Sequence, residues 1–97
     1  MLSSAKANTA LTLSGSSQTL LSRNDNRQGI IITSNSTANA CFLHFQLGNT
    51  SAIPTATTGN GVRIPAGGSL TLLGSDVFTG AIAVIGTAAD VISWTEF

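Results

Sequence analysis

Charged side chains are scarce in this chain. Only 8% of its 97 residues are Asp, Glu, Lys or Arg, and the four basic and four acidic side chains give a net charge of zero. An ordinary globular domain has about 25% charged residues. Because binding to a phosphate backbone needs a concentration of Lys and Arg, we expect no nucleic-acid partner. A neutral surface rich in Ser, Thr and Asn also lacks the charge repulsion that keeps a protein monomeric.

The side chains that carry most enzyme chemistry are scarce as well, since the chain has one cysteine, one histidine and no tyrosine. Cys41 cannot form an internal disulfide, and we expect it to be a small buried apolar residue rather than a reactive thiol. His44 is expected to be a packing or surface residue on a strand. A metal site needs three or four suitable ligands, and no motif supports a Ser-His-Asp triad. The sequence therefore predicts a protein that is not an enzyme and needs no cofactor or metal.

Long apolar runs are also missing. None approaches the roughly 20 residues of a membrane-spanning helix, and the N-terminus lacks the apolar core of a signal peptide. We therefore expect a protein that is made in a cytoplasm and has no membrane partner. Residues 1–8 are polar and without periodicity, which predicts a flexible N-terminal arm. Residues 9–97 are expected to form a single domain, since domains usually have about 50–250 residues.

Short alternating apolar stretches recur between turns that are rich in Gly, Asn, Ser and Asp. This pattern predicts an all-β chain, an antiparallel β-sandwich or jelly-roll-like barrel of about eight short strands. No segment has the convincing i, i+3, i+4, i+7 apolar spacing of an amphipathic helix. The predicted strands are 9–13, 18–22, 30–32, 40–47, 61–64, 69–73, 81–86 and 89–95.

Two of these strands are apolar on both faces. The three consecutive isoleucines at 30–32 favour an extended backbone, in which Ile31 points away from its two neighbours. The segment 81–85, Ala-Ile-Ala-Val-Ile, has the same property. Each sheet of a small two-layer protein has only one inner face, so the outer apolar side chains need a flanking segment or another molecule to cover them. The second possibility predicts an assembly, with Ile31, Ile82 and Val84 as candidate interface residues.

Two further places are candidates for contact with a partner. Arg23, Asp25 and Arg27 share one polar turn, which either clamps a partner or is a solvated turn with one local ion pair. Trp94, near the end of the last predicted strand, is either a core residue or an interface anchor, because Trp is enriched at the energetic centres of interfaces.

Two motifs in the sequence are similar to patterns found in a known group of proteins. Residues 24–32, Asn-Asp-Asn-Arg-Gln-Gly-Ile-Ile-Ile, have the form N-x-x-R-x-G followed by a hydrophobic run. An Asn/Ser-rich turn and an aromatic strand follow at 35–45. Residues 64–70, Ile-Pro-Ala-Gly-Gly-Ser-Leu, have the form hydrophobic-P-x-G-G-S-hydrophobic, and the closing strand 91–94 ends in Trp.

With these motifs, residues 10–95 resemble the small virion structural proteins of tailed bacteriophages, a group that includes capsid decoration (cement) proteins. The segment 44–48 departs from the commoner pattern, which is shorter there. The resemblance implies a virion protein on the capsid exterior, a homo-oligomer, most simply a homotrimer, that bridges subunits of the major capsid protein. The candidate capsid contacts are the arm 1–8, with Leu2 and Lys6, and the turn 23–27, while the strand 81–85 is the candidate subunit interface.

Three other classes of function stay open at this point. A tail, fibre or head–tail component that binds a host glycan would need exposed aromatic side chains, of which the chain has few. An enzyme is disfavoured by the missing chemistry. A bacterial surface or pilus subunit is disfavoured because no signal peptide is recognisable.

Overall fold

The computed structural model describes residue 5 and the ranges 7–48 and 51–97. Apart from one turn of 3-10 helix at Gly74–Asp76, the regular structure in these ranges is entirely extended. Each predicted strand corresponds to an observed one, with ends that differ by at most two residues. The strands are β1 (Ala7–Thr12), β2 (Gln18–Leu21), β3 (Gly29–Ser34), β4 (Cys41–Phe45), β5 (Val62–Ile64), β6 (Ser69–Leu73), β7 (Ile82–Ile85) and β8 (Val91–Glu96).

The strands form two four-stranded sheets. Sheet A has the order β1-β8-β3-β6, and sheet B has the order β2-β7-β4-β5. Every ladder is antiparallel, and each connection except that between β4 and β5 crosses from one sheet to the other. Eight strands in two sheets with this order make a jelly roll. The prediction of an all-β antiparallel sandwich is confirmed.

The register of β3, a central strand of sheet A, decides which isoleucines enter the core. Ile30 lies opposite Leu72 on β6, and Ile32 lies opposite Trp94 on β8. Both isoleucines are buried, with exposed fractions of 1% and 0%. Because side chains alternate along a strand, Ile31 lies on the outer face, where it is half-buried. The alternation predicted from the sequence is therefore present.

The inner face of sheet B completes the core. Ile82 and Val84 of β7 and Leu43 of β4 have no exposed surface. Packing of two apolar inner faces is what holds a sandwich together, since it removes apolar surface from water. The buried cluster comprises Leu13, Leu20, Leu21, Ile30, Ile32, Cys41, Leu43, Ile64, Ile82, Val84 and Ile92.

The outer face of sheet B is covered by the chain itself. Ala83 lies on this face opposite His44, yet it is only 1% exposed. The loop 51–60 is attached on this side, because the backbone N–H of Ala56 donates to Ser17 Oγ (2.8 Å) and the Thr57 backbone lies beside the His44 ring. The sequence allowed either a flanking segment or another molecule to cover the outer side of the apolar strand 81–85. In the structure, a flanking segment of the same chain lies over it.

The end of β4 differs from the prediction. The predicted strand 40–47 stops at Phe45, and beyond this point Leu47 is 67% exposed, whereas Gln46 is buried. The reason is a two-way contact with the residue before β7: the Gln46 N–H donates to the Ala81 carbonyl, and the Ala81 N–H donates to Gln46 Oε1, both at 2.9 Å. A buried backbone N–H needs a partner, and this amide supplies it.

Candidate functional site

Arg27, predicted as a surface contact, lies in the interior. Its guanidinium is fully buried, and Nε donates to Glu96 Oε2 at 2.6 Å. Nη1 donates to the carbonyls of Phe78 (2.8 Å) and Gly80 (3.1 Å), and Nη2 donates to the carbonyl of Ser22 (2.7 Å). The side chain has no surface to offer a partner, which corrects the prediction for this residue.

The partners of Arg27 come from both sheets. Glu96 ends β8 in sheet A, while Ser22 follows β2 and Gly80 precedes β7, both in sheet B. A buried charge is tolerated only when it is paired and hydrogen-bonded, and the rigid fork of arginine can bond several acceptors at once. Arg27 therefore joins the two sheets at one end of the sandwich. This pairing could not be predicted from the sequence, because Glu96 is 69 positions away from Arg27.

The other two charges of the turn remain at the surface. Arg23 Nε lies 3.0 Å from Asp25 Oδ1, and the two side chains are 60% and 69% exposed. This is the solvated turn with one local ion pair that was the alternative to a partner clamp. Exposed pairs of this kind contribute only about 0–1 kcal/mol to stability.

The remaining predicted contact residues do not form one surface. Trp94 is half-buried and packs against the core from the inner face of sheet A. Ile82 and Val84 are buried within a single chain, so the reason for placing a subunit interface there, apolar surface without cover, does not hold for them. Leu2 and Lys6 lie outside the described residues. The arm predicted at 1–8 lies mostly outside them as well, and β1 begins inside it, at Ala7.

Ile31 is the predicted contact residue that is apolar, partly exposed and on an outer sheet face, since the half-buried Trp94 lies on the inner face. It lies on the outer face of sheet A, between Thr71 of β6 and Thr95 of β8. No charged side chain lies on this face among the described strand residues, so little charge would have to be desolvated to cover it. The register places there Asn8, Ala10 and Thr12 of β1, Val91, Ser93 and Thr95 of β8, Ile31 and Thr33 of β3, and Ser69, Thr71 and Leu73 of β6.

The edges of the two sheets also differ. In sheet B, β5 has three residues and is followed by Pro65, and the pairing of β2 is interrupted by a register shift between Thr19 and Leu21. Short strands, prolines and bulges all protect an edge from pairing with another chain. In sheet A, the edge strands β1 and β6 have six and five residues and carry no charge, proline or register shift. The face and the edges of sheet A form the candidate site, called the assembly surface below.

An apolar cleft of about 370 Å³ lies between the end of β4 and the loop that follows it. Its lining includes Phe45, Leu47 and Ile53, and the last two are 67% and 57% exposed. Specific small-molecule sites combine such walls with a few convergent polar groups. Here the His44 ring, the main polar group, already lies within 3.2 Å of the Thr57 backbone N–H. The cleft therefore gives no basis for assigning a ligand.

The described ranges contain no candidate metal centre. No three His, Cys, Asp or Glu side chains are grouped there so that they could hold a metal ion. Nor does any helix in these ranges have the length and apolar character to cross a bilayer. Cys41 is buried, and its burial, with the charge of Asp90, raises the pKa of the thiol above the ordinary 9.0. A raised pKa keeps the thiol protonated and unreactive, as its predicted core role requires.

Comparison with protein-family models, with curated proteins and with solved structures gives no match for this chain. What the protein does is therefore inferred from its own residues. Sequence reasoning found Ile31 from its place in the isoleucine run. It missed the lack of charge around Ile31, because that depends on which strands lie beside β3.

Proposed function

We propose that this chain is a structural protein of a tailed-phage virion, a decoration protein that binds the outside of the capsid and bridges neighbouring capsid subunits. The observation that carries the proposal is the assembly surface: a β-sheet face of hydroxyl and apolar side chains without charge, with Ile31 among them and an open strand edge on either side. Its role is mechanical, and no step of it needs a catalytic group or a cofactor.

The motifs of the chain support the proposal at the level of the fold. In the N-x-x-R-x-G motif, Arg27 is the buried link between the sheets, and Gly29 begins β3. The resemblance to phage virion proteins thus rests on residues that build the sandwich. Jelly rolls are found in viral capsid and lectin domains, which is an analogy of fold and carries less weight than the surface itself.

The energetics of such contacts suit a shell. Burial of apolar surface yields about 25 cal/mol per Å², so several hundred Å² at one contact provides several kcal/mol before the costs of association. One weak contact is insufficient, but a lattice repeats it many times. An uncharged face reduces the desolvation cost that a charged face would add to every copy.

Binding to phage heads tests the proposal. Capsids of the source phage, stripped of accessory proteins, are mixed with the purified chain, and bound protein is measured by co-sedimentation. We expect saturable binding of the wild type, and binding about tenfold weaker for Ile31→Thr, which keeps a β-branched residue but removes apolar surface from the assembly surface.

The matched control is Ile85→Thr. Ile85 is also half-buried and lies on an outer face, but that of sheet B, opposite Phe42. This variant should bind capsids like the wild type. Absence of wild-type binding, or equal loss in both variants, would contradict the proposal. Binding to a glycan array without binding to capsids would favour the tail or fibre role instead.

A further inference from the structure

The strand β6 (Ser69–Leu73) is one edge of sheet A, and the hydrogen bonds at its two ends fix the direction of its backbone groups. At one end, the N–H of Ser34 donates to the carbonyl of Gly68 at 2.9 Å. At the other end, the N–H of Gly74 donates to the carbonyl of Gln28 at 3.1 Å. Hydrogen-bonded pairs recur at every second residue of an antiparallel ladder, so these two pairs set the phase for the whole strand.

This alternation of hydrogen-bonded pairs leaves three residues of β6 with backbone N–H and C=O groups that point sideways from the edge of sheet A, away from β3. Leu70 and Leu72 direct their N–H and C=O groups to β3, opposite Ile32 and Ile30. The residues between and beside them direct theirs away from β3, where the described chain places no further strand. These outward-directed residues are Ser69, Thr71 and Leu73.

The sequence of β6 is complementary to itself about its centre. When two copies run antiparallel with Thr71 opposite Thr71, Ser69 of each copy lies opposite Leu73 of the other. All outward-directed residues then meet one another, and each such pair exchanges two backbone hydrogen bonds. A shift of one residue would set outward-directed groups against groups already bonded to β3, and a shift of two would leave one residue of each copy unpaired.

The same register places apolar side chains together. Leu70 of one copy would lie opposite Leu72 of the other, on the face that continues the two cores. Both leucines are only half-buried in the single chain, where no described strand lies beyond β6. Cross-strand apolar pairs stabilise sheets, so a second copy would cover surface that the chain alone leaves in contact with water.

We propose that β6 pairs with β6 of a second copy, which joins two sheets A into one eight-stranded sheet about a two-fold axis. This inference goes beyond the proposed function, because it concerns the pairing of two copies of the chain in free solution, without a capsid. A trimer, which the resemblance implies, would need head-to-tail pairing of β6 with β1 if it were built through the edges of sheet A. The outward carbonyl of Thr12 on β1 already accepts a bond from Gln18 Nε2 (3.4 Å), so β1 is the less open edge.

Charge at the symmetry centre tests the pairing. Thr71→Lys places a cation on an exposed position of the monomer, where it should be harmless, but two such cations would face each other across the dimer axis. By sedimentation equilibrium, the wild type should have twice the 9.8 kDa mass of the chain. The dimers of Thr71→Lys and of Thr71→Glu should each have a dissociation constant at least about tenfold larger than that of the wild type. An equimolar mixture of the two variants should form the dimer again.

The matched control is Ala10→Lys, an exposed position with outward-directed backbone groups on the opposite edge of sheet A. It should leave the dimer intact, and far-UV circular dichroism should be unchanged in all variants. A monomeric wild type at about 100 μM would overturn the inference, as would an oligomer that survives Thr71→Lys or is lost equally with Ala10→Lys. Capsid binding is a separate measurement, so a dimer that fails to bind heads would contradict the proposed function and leave the β6 pairing in place.

Discussion

Sheet A and sheet B have the same number of strands and the same antiparallel pairing, but the rest of the chain covers them differently. On the outer side of sheet B, the loop 51–60 is bonded to Ser17 and lies against His44, which leaves Ala83 1% exposed. Where that cover ends, Arg63 adds a charge opposite Phe42. On sheet A, no loop is attached in this way within the described residues, and Ile31 remains half-exposed among hydroxyl side chains.

The comparison shows why apolar strands alone do not locate an interface. β7 is the more apolar of the two strands singled out from the sequence, yet its residues Ile82, Ala83 and Val84 are all buried by the chain itself. β3 also has a buried face, but its outer side is open. What distinguishes an assembly surface is missing cover together with missing charge, and within the described residues only sheet A has both on its outer face.

The largest effect is expected where the two sheets are joined. Arg27→Ala would leave the carboxylate of Glu96 and three carbonyl groups without their buried partner, which should cost about 3–5 kcal/mol of unfolding free energy. Arg27→Lys keeps the charge but not the fork, so an intermediate loss is expected. Urea denaturation followed by tryptophan fluorescence measures both, since the chain has a single Trp.

Arg23→Ala is the matched control, because Arg23 belongs to the same turn but its ion pair with Asp25 is exposed. Its loss should be below about 1 kcal/mol. Similar losses for Arg23→Ala and Arg27→Ala would mean that the link between the sheets is not important for stability, and sheet A and sheet B could then open independently.

The strand pattern was predictable because it depends on local chemistry. Alternating apolar residues and Gly-, Asn- and Pro-containing turns located all eight strands, and β6 was predicted with its observed ends. The end of β4 at Phe45 was not predicted, because the burial of the next residue, Gln46, depends on Ala81, which is 35 positions away. The 3-10 geometry of the turn at Gly74–Asp76 is also not readable from the sequence, since a single turn has no periodicity to detect.

The candidate site was predictable only in part. Ile31 follows from alternation within one strand. That the neighbours of Ile31 are Thr71 and Thr95 follows from the strand order, which the sequence does not show. Arg27 was misplaced for a related reason: its polar turn is typical of a surface, and the acidic partner that allows its burial lies at the far end of the chain.

A smaller effect is expected at the closed edge of sheet B. Gly61, just before β5, has φ +80°, and a Cβ at this position would meet the Leu43 carbonyl oxygen and lie 2.9 Å from the His44 ring. Gly61→Ala should therefore cost about 2–3 kcal/mol, from both strain and overlap. Gly59→Ala is matched to it, with φ +82° but no atom within 4 Å, and should cost about 1 kcal/mol. Equal losses in chemical denaturation would indicate that sheet B is less tightly closed than the structure shows.

The smallest effect is a pH dependence from Cys41 on the inner face of sheet B. Burial and, to a lesser extent, the charge of Asp90 raise the pKa of the folded thiol above 9.0. The folded state thus keeps a proton that the unfolded state loses, so this contribution is fully present below about pH 9 and is lost as the pH rises through the folded pKa. The unfolding free energy should fall above pH 9 by at most about 1.4 kcal/mol per pH unit, and Cys41→Ala should remove that part of the slope.

The reactivity of this thiol can be compared with that of a cysteine placed on the outer face of sheet A. Few other groups titrate near pH 9, because the chain has no tyrosine and Lys6 is its single lysine. A thiol reagent at pH 8 should modify native Cys41 only as fast as the protein opens, whereas Thr12→Cys in the Cys41→Ala background, exposed on the outer face of sheet A, should react at the rate of a free thiol. Rapid reaction of native Cys41 would mean that the inner face of sheet B opens readily to solvent, which would contradict the place of Cys41 in the core between the sheets.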